Sequence, residues 1–169
     1  MFFIIKIKAQ IMKYFTLQEF ITSSTAKKLN ISNNPEQWQI DNINELVDNL
    51  LDPLREDWSE YCLTNNLGKP GIRINSGVRS IALNNAIGGS KTSAHMIGSA
   101  ADIAPVNGKM KEFKEFCVNW LKNRMFDQFI SEDENSVGVP AWIHLGYKTS
   151  NNRQRRQFLK MVNNKYYPL

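Results

Sequence analysis

The chain has 169 residues, a formal net charge of +5, two cysteines and two histidines. That length suits one domain with a single sizeable core, and two cysteines are too few for a disulfide-stapled scaffold. The positive balance suits an anionic polymer as partner. No basic helix with interleaved aromatics accompanies it, which argues against nucleic acid.

The chain opens with a short apolar run, Phe2 to Ile5, broken by Lys6 and Lys8. It is too short to span a bilayer and has no small-residue cleavage site, so neither membrane insertion nor a signal peptide is expected. Met12 directly precedes the start of the patterned region, so residues 1–11 read as an N-terminal extension and 12–169 as the domain. Thr16 and Glu19 form a capping box, with Phe15 and Phe20 placed as a hydrophobic staple, which predicts a short helix from Leu17. Asn34-Pro35 predicts the next helix start, with Pro35 at its first position. Ile43, Leu46, Val47, Leu50, Leu51, Leu54 and Trp58 then recur at helical spacing as one apolar stripe, which Pro53 must kink or interrupt.

A short strand is expected over 72–75 and a short helix from Ser80 to Ile87. A third main helix begins near Lys109, its core face drawn from Phe113, Phe116, Cys117, Trp120 and Leu121. Cys62 and Cys117 fall within helical patterns and read as buried thiols rather than a disulfide. Strands are expected from Ala100 to Ile103, from Phe126 to Ser131 and from Trp142 to Tyr147, the last two joined by a polar loop. The basic tail of Arg153, Arg155, Arg156, Lys160 and Lys165 reads as a solvated face. Helices early and strands late, without regular alternation, predict an α+β domain with a small antiparallel sheet.

Both histidines sit where a metal site needs them. His95 lies in Ser93-Ala94-His95-Met96-Ile97-Gly98-Ser99-Ala100-Ala101-Asp102, and His144 in Trp142-Ile143-His144. A catalytic zinc commonly takes three protein ligands from His and Asp or Glu and leaves a fourth position open. His95, Asp102 and His144 meet that requirement. The seven-residue step from His95 to Asp102 is too long for one helical turn and suits a loop followed by a strand, with Gly98 supplying a tight turn at positive φ.

The runs Ile74-Asn75-Ser76-Gly77-Val78-Arg79-Ser80 and Leu83 to His95, then Gly98 to Asp102, Phe126 to Ile130 and Trp142-Ile143-His144, together resemble the M15 zinc peptidases. That family comprises peptidoglycan D,D-carboxypeptidases and L-alanyl-D-glutamate endopeptidases of bacteria and their phages, and shares a fold with Hedgehog signalling domains. The resemblance spans roughly Lys13 to Leu159. It implies a Hedgehog/DD-peptidase-like fold, one Zn2+ on His95, Asp102 and His144, and a peptidoglycan peptide as substrate. A chain made in the cytoplasm and acting on the cell wall, as a phage endolysin does, fits this reading.

The resemblance also places Arg79 beside the metal. A guanidinium is the natural fork for a substrate carboxylate or carbonyl; the competing reading is a structural ion pair with a nearby acid. Many relatives carry a glutamate three residues before the second histidine as general base, and here that slot is Ala141. If residue 128 pairs with 144, Gln128, Glu132 and His144 share one strand face, which makes Glu132 the candidate base and Asp133 and Glu134 the next. Ser93 is a candidate for hydrogen bonding to substrate, or else a loop cap. Gln128, Lys91, Thr92 and Trp142 are candidate cleft residues. Three functional readings follow: a zinc peptidase, a wall-binding module that has lost turnover through Ala141, and a zinc-stabilised structural component such as a phage tail part. The sequence leaves the oligomeric state open.

Overall fold

The computed structural model describes residues 12–169; the extension expected at 1–11 lies outside the described residues. Helix α1, Leu17–Ile21, starts as expected: the Glu19 carboxylate accepts from the Thr16 backbone N–H at 2.8 Å. Phe15 and Phe20 meet edge to face at 6.3 Å. A second short helix, α2 (Ser24–Lys28), follows, capped by the Ser23 hydroxyl. Helix α3 spans Gln37–Leu46, and here the expectation at Pro35 is corrected. The cap is Glu36, whose N–H donates to Gln39 Oε1 at 2.8 Å, so Pro35 lies before the cap rather than at the first helical turn.

From Gln37 the chain stays helical to Thr64, through a widened π turn at Val47–Leu51 and then α4, Asp52–Thr64. The π turn answers Pro53. A proline has no N–H to donate and its ring crowds the preceding turn, and slipping to i→i−5 bonding just before it absorbs both effects. The apolar stripe therefore stays continuous, and Ile43, Leu46, Val47, Leu50, Leu51, Leu54 and Trp58 are all fully buried.

The remaining elements are β1 (Ile72–Ser76), α5 (Ile81–Ala86), a 3₁₀ turn (Ala94–Ile97), β2 (Ala100–Pro105), α6 (Met110–Leu121), β3 (Gln128–Glu132), β4 (Trp142–Gly146), β5 (Gln157–Val162) and β6 (Lys165–Pro168). The strands make one six-stranded sheet in the order β1-β2-β4-β3-β5-β6. All its ladders are antiparallel except β3–β5, so the sheet is mixed rather than purely antiparallel. The architecture is a single mixed α/β domain: one sheet face packs on α3, α4 and α6 in a common core, and the other lines a cleft.

The tail departs most from expectation. Its basic side chains Arg153, Arg155, Arg156 and Lys165 are exposed, as a solvated face should be, but the segment that carries them builds a hairpin, β5–β6, onto the sheet edge. Arg155 forks the buried carboxylate of Asp127 through Nε and Nη2, both at 2.7 Å, and this pins the entry to β5. The hairpin signal was Asn163-Asn164, both at positive φ (50° and 59°), a conformation in which asparagine is enriched and which two-residue hairpin turns require.

Candidate metal centre and cleft

Strand alternation assembles the site. The register aligns Asp102 with His144 and His144 with Ile130, and two residues further on pairs Trp142 with Glu132. Because side chains alternate across a strand, Asp102, His144, Ile130, Glu132, Trp142 and Gln128 all face one cleft of about 770 Å³. Their neighbours Ala101, Ile103, Ile143, Leu145 and Phe129 face the core. The expected pairing of 128 with 144 is corrected to 128 with 146. That slip is two residues, so it keeps parity and leaves Glu132 on the face of His144.

His95 reaches the same point from outside the sheet, on the 3₁₀ turn. Helix α3 holds that turn: Gln39 Nε2 donates to Met96 O at 2.7 Å and Asn42 Nδ2 to Ile97 O at 2.8 Å. Gly98 closes the turn at φ +73°, and a Cβ there would meet Gln39 O at 2.5 Å, so glycine is required on both counts. Asn33 clamps the neighbouring loop, donating to Ile21 O and Val78 O and accepting from Ser80 N–H. These side-chain amides have no motif spacing, and sequence reasoning passed over them.

The three proposed ligand atoms form a near-equilateral triangle. His95 Nε2 is 3.1 Å from His144 Nδ1 and 3.2 Å from Asp102 Oδ1, and His144 Nδ1 is 3.1 Å from Asp102 Oδ1. Zinc bonds of about 2.0–2.1 Å in a tetrahedron put ligand atoms roughly 3.3 Å apart, so the triangle fits the metal. The surrounding bonds fit as well. His95 Nδ1 is 2.7 Å from Gly77 O; a carbonyl only accepts, so the proton sits on Nδ1 and Nε2 presents a lone pair. Asp102 Oδ2 accepts from Arg79 Nη2 at 2.8 Å, which leaves Oδ1 for the metal. Such outer partners orient metal ligands.

The electrostatics run the same way. Burial holds His95 below its ordinary pKa and keeps the imidazole neutral, as a ligand must be. Burial opposes the Asp102 charge, yet the two imidazoles outweigh it and hold the carboxyl far below its usual range. Among the described residues, these three are the only cluster of His, Cys, Asp or Glu geometrically able to hold a metal ion.

Glu132 is buried at the end of β3, and this burial pushes its carboxyl up to about 7. It lies close enough to His144, Asp102 and Arg79 to feel all three. The other two acids are placed elsewhere. Glu134 accepts from Lys114 Nζ at 2.7 Å and Ser131 Oγ at 2.6 Å, a structural pair that holds its pKa down. Asp133 sits exposed at φ +49°, outside the cleft lining.

Both readings of Arg79 meet at one residue: it pairs with an acid, and that acid is a candidate ligand. Its Nε is spent on Ser76 Oγ at 3.2 Å. The Ser93 side chain makes no cap bond at the 3₁₀ turn and lines the cleft, as do Lys91, Thr92, Trp142 and Gln128, whose Nε2 donates to Gln157 Oε1. Leu159, Met161 and Tyr166 also line it, and sequence reasoning missed them with the hairpin that carries them.

A family model described as Peptidase M15 matches residues 13–146, most of the chain. No curated protein matches it. Among the described residues, no helix is long and apolar enough to cross a membrane.

Proposed function

The chain belongs to the M15 peptidase family, and on that premise we propose that it is a zinc-dependent peptidase hydrolysing peptide bonds of bacterial peptidoglycan. The observation that carries this reading is the 3.1–3.2 Å triangle of His95, Asp102 and His144 with a buried acid, Glu132, beside it in one cleft. We assign the domain to the fold that this family shares with Hedgehog signalling domains. The setting we propose is a phage or prophage one, with the wall reached after synthesis in the cytoplasm.

When bound, the metal supplies Lewis-acid chemistry, making water nucleophilic near neutral pH and polarising the scissile carbonyl. The chain's own groups do the rest. Glu132, with a pKa near the working pH, takes the proton of the attacking water and passes it to the leaving amine. It thereby fills the role left open by Ala141. Arg79 holds the Asp102 carboxylate in place and presents its guanidinium to the cleft, where it orients a substrate carboxylate or carbonyl. Ser93, Gln128 and Trp142 position the peptide along the cleft.

The test is incubation of the purified chain with purified peptidoglycan, with and without chelator, and identification of the new termini. New amino and carboxyl ends that vanish with chelator are expected. Binding to the wall without new ends would replace this reading with that of a binding module, and no wall interaction at all with that of a structural component.

A further inference from the structure

The family match ends at residue 146, and inside it lie Arg79, His95, Asp102, Glu132, Trp142 and His144. The hairpin β5–β6 lies outside it, yet it supplies a wall of the same cleft. Leu159 stands beside Ile130 in the parallel ladder, and Met161 faces Tyr166 across the hairpin. Continuing the β3–β5 register sets Met161 next to Glu132, so Glu132, Met161 and Tyr166 form one row across three strands. Adjacent strands lie about 4.8 Å apart, which puts the Glu132 and Tyr166 backbones roughly 10 Å apart, within reach of a tyrosine side chain leaning over Met161. In agreement, the partial burial of its ring and the Glu132 and Asp102 charges all push the Tyr166 phenol up.

The wall is apolar: Ile130, Leu159, Met161 and the Tyr166 ring line the cleft there. Asp127 and Arg155, which also line the cleft, satisfy each other. An anionic side chain placed against this wall would lose water and meet the Glu132 and Asp102 charges, whereas an alkyl group would gain burial.

We propose that the β5–β6 hairpin is a specificity element: Leu159, Met161 and Tyr166 form a subsite for an apolar side chain of the substrate residue flanking the scissile bond on the Glu132 side. This rests on the peptidase reading. The metal and the base come with the part of the chain that matches the family, and the choice of side chain comes with the tail.

The test uses the full-length zinc-loaded chain and a peptide series carrying Gly, Ala, Leu or Asp at that position. A parallel series with the scissile amide N-methylated reports binding by calorimetry. Met161→Gln keeps side-chain length, and Tyr166→Ser alters a residue that is 58% exposed, so neither should unfold the domain. The wild-type chain should prefer Leu over Gly by about 10-fold in kcat/KM, and each variant should flatten that preference by costing the Leu peptide more than the Gly peptide. An unchanged order of preference in both variants would overturn the subsite, and so would equal losses on every peptide. If the wild-type chain cleaves none of the peptides, the peptidase reading fails and binding decides the subsite alone. Affinity that depends on the side chain and is lost in Met161→Gln upholds it, and affinity indifferent to the side chain overturns it.

Discussion

The two faces of the same strands differ as much as any two regions of the molecule. On β4, Ile143 and Leu145 turn into the dry core, while Trp142 and His144 turn to the cleft. On β3, Phe129 goes inward and Ile130 and Glu132 outward, and on β2 Ala101 and Ile103 flank Asp102 in the same way. Stability and chemistry are thus interleaved at a period of two residues, and a one-residue slip anywhere would exchange them. Precise placement of the proposed ligands is a by-product of core packing, because the inward residues lock the register that aims the outward ones.

The sharpest break falls on the outward face. His144→Ala should leave the fold intact, release the zinc and bring turnover below detection; metal analysis of the purified variant checks it, and full zinc occupancy would refute the ligand set. The matching break on the inward face is Phe129→Ala. Emptying a fully buried aromatic site should cost about 3–5 kcal/mol, read as a fall in denaturation midpoint, while the folded fraction keeps its affinity for zinc.

Glu132 sharpens the comparison because it obeys the rules of both faces. Glu132→Gln should cut turnover by about 10²–10⁴-fold with zinc retained. The same change should stabilise the metal-free chain at pH 8. The folded state keeps the Glu132 proton up to about pH 7 and the unfolded state releases it near 4.5, so wild-type stability declines as pH rises between those values. Solvent at the cleft mouth screens part of the effect, leaving about 1–2 kcal/mol in favour of the variant at pH 8 and none at pH 4. Thermal melts at the two pH values check it. The smallest effect is expected of Arg79→Lys: the cation stays but the paired bonds from Nη2 to Asp102 and from Nε to Ser76 are lost, and zinc affinity should fall about 10-fold in competition with a chelating dye.

The outward face was legible in the sequence for the reason that makes it work. Alternation survives an error of two residues, so Glu132 could be placed beside His144 even though the pairing of 128 was assigned two residues off. His95, Asp102 and His144 were legible because so few residue types bind zinc and the chain holds only two histidines. The hairpin β5–β6 was not, because its arginines and lysines mask the alternation of Phe158, Lys160 and Val162 against Leu159 and Met161. Pro53 announced an interruption but not its form, since a kink and a π turn solve the same clash. Pro35 misled because Glu36 and Gln39 form a reciprocal cap two residues beyond Asn34.

The Gly77 carbonyl that fixes the His95 tautomer stands on a loop pressed against helix α1. A Cβ at Gly77 would collide with the Phe20 backbone, and Val78 N–H donates to Phe20 O at 2.9 Å. Docking of a five-residue helix therefore helps to fix which imidazole nitrogen is bare, and on the zinc-peptidase reading metal binding and helix docking are thermodynamically linked. Each must strengthen the other by the same factor. Zinc should slow amide exchange along 17–21, and changes that loosen this helix should weaken the metal without touching a ligand.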